Sequence, residues 1–214
     1  MAARPFVTDD ARLTNPGSCQ IETWVRAYAD SREAWALPAC NPGGNLEFTV
    51  GGGRAWQQAA PATEDYLFQL KTLVRPLRDD GWGWGLAAGV VRHPDINPGP
   101  NLLGNTYAYL PASVSLAGGR MVVHANVGWL RERASGLKKL TWGLGAEWQV
   151  ASRLTLIAES FGDHRDRPWW QLGARVAVVP DLLQIDATVG RQFSDVSGTR
   201  WFSLGLRVTP ARLF

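Results

Sequence analysis

Between Leu140 and Val150 every second residue is apolar or aromatic: Leu140, Trp142, Leu144, Ala146, Trp148 and Val150. The residues between them, Thr141, Gly143, Gly145, Glu147 and Gln149, are small or polar. The same alternation returns over 170–179, 183–192 and 202–208. A period of two marks a β-strand with one apolar face and one polar face. A chain of such strands either packs its apolar faces together in a core or turns them outward to lipid.

Composition favours lipid. The 214 residues include 11 Trp and 23 Gly but only 2 Met. Trp gains most at a membrane–water interface, where its broad apolar body meets hydrocarbon and its N–H meets water. Eleven Trp are hard to bury in one soluble sandwich of this size. Inward Gly relieves crowding in a narrow bore and lets strands curve. No run approaches the roughly 18 apolar residues of a spanning helix. Barrel strands escape that requirement, because every second residue faces the lumen. The net charge of +3 comes from scattered cations. That argues against a nucleic-acid partner, which needs a dense basic stripe. Metal-ligand spacings, phosphate-cradling glycine motifs and nucleotide fingerprints are missing, so no cofactor or metal is expected.

The pattern predicts about twelve strands, at 19–30, 33–40, 45–53, 65–77, 82–93, 105–117, 120–131, 138–150, 153–162, 169–179, 182–193 and 200–209. The second is the weakest, because Pro38 interrupts it. Short turns at 41–44, 78–81, 118–119, 151–152 and 180–181 alternate with longer Gly-, Pro- or polar-rich connections at 53–64, 94–104, 132–137, 163–168 and 194–199. Short turns on one rim and long loops on the other describe an outer-membrane barrel. The expected fold is an all-β, antiparallel, up-and-down transmembrane β-barrel formed by residues 19–214, in the outer membrane of a Gram-negative bacterium. Residues 1–18 precede it as a periplasmic segment. The first residues lack the apolar core of a secretory signal, as in a mature exported chain behind an initiator Met. An even strand number puts both termini on the short-turn rim. Cys19 and Cys40 would meet there across the first hairpin and could bridge in an oxidising compartment. Phe214 is the aromatic terminal residue expected to engage the barrel assembly machinery.

Backbone groups cannot go unpaired in hydrocarbon, so the strands must close. The outward set runs through Val25, Phe48, Val50, Phe68, Leu70, Val74, Trp82, Trp84, Leu86, Val114, Val127, Trp129, Leu156, Leu172, Val176, Ile185, Val189 and Leu204. It carries no charge. The complementary, lumenal set holds Glu22, Arg26, Glu47, Lys71, Arg75, Glu147, Glu159, Arg175, Asp186, Arg191 and Arg207. Mixed signs suit a salt-bridged interior that holds the barrel in shape; a charged constriction selecting solutes is the alternative.

The opening Arg4-Pro5-Phe6-Val7-Thr8-Asp9-Asp10-Ala11, followed by Gln20-Ile21-Glu22-Thr23, resembles the start of a bacterial outer-membrane family named for the MetA pathway of phenol degradation. Ser152-Arg153-Leu154-Thr155-Leu156-Ile157-Ala158-Glu159 and Val189-Gly190-Arg191-Gln192-Phe193-Ser194-Asp195 resemble later phrases of that family. Arg12, Leu13 and the two Cys depart from it. The resemblance implies an outer-membrane barrel admitting aromatic or other hydrophobic compounds, and supplies no catalytic residues. It also leaves the opening segment either tucked into the periplasmic mouth, with Asp9 and Asp10 against lumenal Arg, or free as a tail.

Three functions are consistent with these residues. A small channel or uptake barrel would use lumenal Tyr107, Tyr109, Trp24 and Trp201 to line a path, although the same rings could plug it. A membrane-embedded lipid hydrolase would draw on His124, Asn126, Ser113 and Ser115, but the strand phase turns His124 and Asn126 away from lipid. A structural barrel would bind lipopolysaccharide or a partner at loop edges such as 163–170, where Trp169 and Trp170 also suit an interfacial girdle. The first is the expectation, with no enzymatic activity.

Overall fold

The computed structural model describes residues 6–58, 60–92, 105–194 and 199–213. Its regular elements are β1 (Ser18–Ala27), β2 (Ser31–Asn41), β3 (Glu47–Gln57), β4 (Ala60–Arg75), β5 (Trp82–Arg92), β6 (Asn105–Leu116), β7 (Met121–Arg131), β8 (Lys138–Ala151), β9 (Leu154–Asp163), β10 (Trp169–Val179), β11 (Leu183–Gln192) and β12 (Trp201–Val208). Each pairs antiparallel with its sequence neighbours. The barrel closes where β1 meets β12, from Ile21 opposite Val208 to Ala27 opposite Phe202. No helix is long and apolar enough to cross a membrane. Phe214, Arg4, Pro5 and most of the connections at 94–104 and 194–199 lie outside the described residues.

Alternation and closure together make the membrane reading concrete. Leu140, Leu144 and Val127 stand 59%, 55% and 66% exposed, whereas inward His124 and Thr188 are each 1% exposed. The barrel is thus apolar outside and polar inside, the inverse of a soluble β protein. Closure satisfies every strand edge, as hydrocarbon demands. Both described ends lie on one rim, here called the terminal rim, where the Leu213 N–H donates to Gly17 O at 2.9 Å. The opposite rim is called the loop rim.

Two prolines sit inside strands. Pro38 pairs with Ile21 of β1, but the β2–β3 ladder skips from Ala36–Gly52 to Ala39–Thr49. Pro111 pairs with Asn126 of β7, and the β5–β6 ladder skips from Trp84–Ala112 to Ala87–Tyr109. A residue without an N–H interrupts the ladder on one side only. Strand two therefore runs its full length despite Pro38.

Three sequence expectations need correction. The stretch 53–64 is not a loop: β3 and β4 continue through it, with Arg54 opposite Glu64 and Gln57 opposite Ala60. The expected sorting of connections is thereby weakened, since 28–30 and 58–59 on the loop rim are short. Arg75 does not enter the lumen. A register shift between Leu73 and Arg75 turns it out over the Trp82 ring, 4.0 Å from the centroid. Arg191 also faces out, since inward Thr188 and Gly190 flank the alternate positions, and it lies 5.8 Å from the Trp170 centroid.

Cys19 and Cys40 are directly opposed in β1–β2 and form a disulfide across a sequence separation of 21. Cross-linking a loop of that length stabilises by about 3 kcal/mol in the chain-entropy account. C19S/C40S is expected to lose stability of that order in denaturant titration while still forming a closed barrel. Leu144→Arg, placed near mid-strand on the lipid face, is expected to cost about 2–4 kcal/mol in bilayers. Unfolding measured in phospholipid vesicles checks this; in a soluble fold the exposed substitution would be close to neutral.

Candidate functional site

The lumen is not an empty bore. Residues 6–17 enter it from the terminal rim and run along its inner wall. Thr14 is held first, its N–H and hydroxyl both donating to Glu47 Oε2 at 2.7 Å. The Ala11 N–H donates to Ser113 Oγ at 2.9 Å. The Asp9 N–H donates to Asn126 Oδ1 at 2.6 Å, and Asn126 Nδ2 returns a bond to Asp9 O at 2.8 Å. The Val7 and Thr8 N–H groups donate to the two oxygens of Glu159 at 2.7 and 2.9 Å. Gln171 Nε2 also donates to Glu159. An extended segment with unpaired backbone groups could not sit in a buried interior unless the wall satisfied them. Here strand side chains of β3, β6, β7 and β9 do so.

Charge reinforces the seat. Lys71 Nζ lies 2.8 Å from Asp9 Oδ1 and 3.6 Å from Asp10 Oδ1, and its side chain is 4% exposed. The Tyr109 hydroxyl donates to Asp9 Oδ2 at 2.7 Å. Arg12 reaches Glu147 at 2.6 Å, and Glu147 is also 3.0 Å from Arg175. The wall cation for the Asp pair is therefore a lysine, where the sequence suggested a lumenal arginine, and Asp10 also meets Arg12 of the segment at 3.4 Å. Small inward residues make room. A Cβ on Gly143 would collide with Thr8 Oγ1, and one on Gly145 would come within 2.9 Å of the Phe6 ring.

Most of the lumenal residues singled out in the sequence converge on this arrangement. Glu47, Lys71, Tyr109, His124, Glu147 and Glu159 contact the segment directly. Arg175 acts through Glu147, while Tyr107 donates to Gln69 Oε1, which Tyr109 also reaches. Glu22 lies 3.7 Å from Arg207, and buried Asp186 is the cross-strand neighbour of Arg175. Arg26 stands apart, paired with Glu33 at 3.2 Å and placed over the Trp201 ring. Between the segment and β1–β4 remains a cavity of about 40 Å³, lined by Asp9, Asp10, Glu22, Glu47, Lys71 and Arg207. That is room for little more than a few waters.

Ser113, His124 and Glu147 stand in a row that resembles a nucleophile, a base and an orienting acid. Ser113 Oγ is 2.8 Å from His124 Nδ1, and His124 Nε2 is 3.4 Å from Glu147 Oε1. The row is sealed. Ser113 and His124 are each 1% exposed, Ser113 already accepts the Ala11 N–H, and Phe6 packs edge-on against the imidazole at 5.3 Å. Lipid has no approach to it, and its groups serve as part of the seat.

Toward the loop rim the bore widens into a vestibule of about 460 Å³. Val7 and Thr8 form part of its floor; Tyr107, Tyr109, Phe161 and Trp169 stand in its walls. Tyr107 and Tyr109 stack at 6.1 Å, and Trp201 gathers Tyr28, Phe161 and Trp169 around it. Trp24 stacks on Trp35 at 5.8 Å with Leu37 and Leu67 and forms packing. At the mouth, Lys139 is held by Glu132, Asp163 and Asp166 at 3.1, 3.4 and 2.9 Å. The Ser135 hydroxyl and Lys139 ammonium keep the Glu132 carboxyl below its ordinary range. The sequence hinted at Phe161 and Gln171 only through their inward phase, and nothing in it marked Asn126 as a backbone clamp.

Lys71→Ala takes the lysine from buried Asp9 and leaves Asp10 with Arg12, 3.4 Å away. Breaking a buried pair in this way costs about 3–5 kcal/mol. The segment is expected to leave its seat, and limited proteolysis of the folded variant should cut within residues 6–17, where the wild type resists.

The fold has clear relatives. The KdgM porin in complex with disordered oligogalacturonate aligns with a TM-score of 0.68 at 10% identity, covering 89% of this chain and 99% of the porin. The NanC porin gives 0.65 at 9% identity, covering 90% and 100%. The Acinetobacter baumannii outer membrane protein Omp33 gives 0.50 at 9% identity, covering 90% and 98%. At such identities the likeness is one of fold, and the fold is that of the outer-membrane porins. No curated protein sequence matches the chain significantly. A family model does, over residues 1–209: the chain belongs to the family described as Uncharacterised conserved protein UCP029691.

Proposed function

We propose that the protein is a porin-like uptake barrel of the outer membrane for small, uncharged aromatic or otherwise hydrophobic molecules, with residues 6–17 as an internal plug that closes it. The observation that carries this reading is the aromatic vestibule ending on the seated segment. A stack of two Tyr rings faces a cluster of Trp and Phe, and flat apolar solutes gain both area and ring contacts there. The vestibule suits acidic sugar chains poorly. Lys139 at its mouth is already held by three carboxylates, and Arg26 over the Trp201 ring is paired with Glu33. In this orientation the terminal rim faces the periplasm and the plug blocks passage from that side. Lipid and lipopolysaccharide surround the wall, and the terminal Phe214 would present the chain to the barrel assembly machinery.

Planar-bilayer conductance and phenol uptake into proteoliposomes test the reading. The wild type is expected to conduct weakly. Gly143→Val, which crowds Thr8 from the wall, is expected to raise single-channel conductance severalfold and to speed phenol entry. Flat traces from both proteins at all voltages, with no phenol uptake, would rule out transport and favour a structural barrel whose vestibule only binds.

A further inference from the structure

Outward alternation ends in a cation on strand after strand at the loop rim. Arg32 of β2 and Arg54 of β3 follow the outward series Ala36–Ala34 and Val50–Gly52. Arg92, Arg131 and Lys138 stand at the outward ends of β5, β7 and β8, and Arg191 near that of β11. Among described strand residues beside them, Glu64 is the outward acid, 3.5 Å from Arg54. At the terminal rim the outward strand ends are apolar except for Arg75.

Two places in this collar are built for an anion. Arg131 and Lys138 are exposed and directly opposed across β7–β8, just beyond the apolar pair Trp129–Leu140. Like charges in that relation repel, and among the described residues neither has an acidic partner. Arg32 and Arg54 flank one ring, Trp56, at 5.3 and 5.8 Å. Beneath Arg54 the wall is shallowly grooved, with a volume of about 380 Å³ over small residues Ala34, Ala36 and Gly52. A guanidinium held against an aromatic face presents its N–H edges to phosphate, and Arg54 shares one of them with Glu64 at 3.5 Å. These cations sit on the lipid side, directly above the apolar belt, so an anion there must come attached to hydrocarbon.

We infer that this collar binds phosphorylated glycolipid of the outer leaflet, with Arg131–Lys138 and Arg32–Arg54 as two phosphate sites and the groove below Arg54 taking an acyl chain. The inference rests on the outer-membrane reading, with the loop rim outward. The test is a titration of the purified protein, in neutral detergent, with bisphosphorylated lipid A and with its dephosphorylated form, read by native mass spectrometry. The wild type is expected to prefer the phosphorylated lipid by at least about tenfold. R131Q/K138Q and R32Q/R54Q should each lose most of that preference while keeping heat-modifiable barrel migration. Equal binding of the two lipids by the wild type would overturn the collar, as would displacement of lipid by equimolar inorganic phosphate. Insertion into phosphatidylcholine bilayers is scored separately. A protein that inserts but shows no preference overturns the collar alone; one that enters no bilayer overturns the membrane reading beneath it.

Discussion

Everything in this molecule follows from the inability of hydrocarbon to hydrogen-bond a peptide group. That constraint closes β1 onto β12 and sends apolar side chains outward along the strands. It thereby forces the polar residues of twelve strands into a shared interior. A wide barrel would fill such an interior with water. In this one, Glu47, Glu159, Asn126 and Ser113 face a space narrow enough for a single extended segment to satisfy them.

The interior thus has the organisation of a buried polar network, with an unusual division of labour. The wall provides acceptors, chiefly carboxylates and amide oxygens, and the segment provides backbone N–H donors. Lys71 then compensates the two acids that the segment itself brings. Such networks gain from completeness and suffer when one member is lost. The Ser–His–Glu row illustrates the same logic: groups that could do chemistry in an open cleft instead hold a neighbouring strand of backbone.

The barrel was largely legible because alternation is a local signal. Leu140 to Val150 announces its two faces without any knowledge of the partner strands. Errors occurred where a local signal competed with a non-local one. The stretch from Gly53 through Pro61 to Glu64 reads as a loop by composition, yet cross-strand pairing carries the hairpin through it. Arg75 follows the inward count by twos until the register shift after Leu73 turns it out, and Arg191 shares the outward phase of Val189. Residues 6–17 have no periodicity at all. Their meaning lies in what they touch, and Asp9 with Asn126 or Thr8 with Gly143 are contacts more than a hundred positions apart. The room left by Gly143 and Gly145 was visible as small inward residues, but not what would occupy it.

The base of the segment is anchored where Gly17 bonds to Asn41 and receives Leu213, one residue before β1 and two before the disulfide. Only eleven positions separate it from Phe6, a contour of about 36–40 Å when fully extended. A segment that lets go is therefore still on a leash shorter than a diffusing ligand would ever need. If the segment works as the proposed plug, its return is a first-order event at high effective concentration, and the open time would be a property of one molecule, indifferent to how many copies share the membrane.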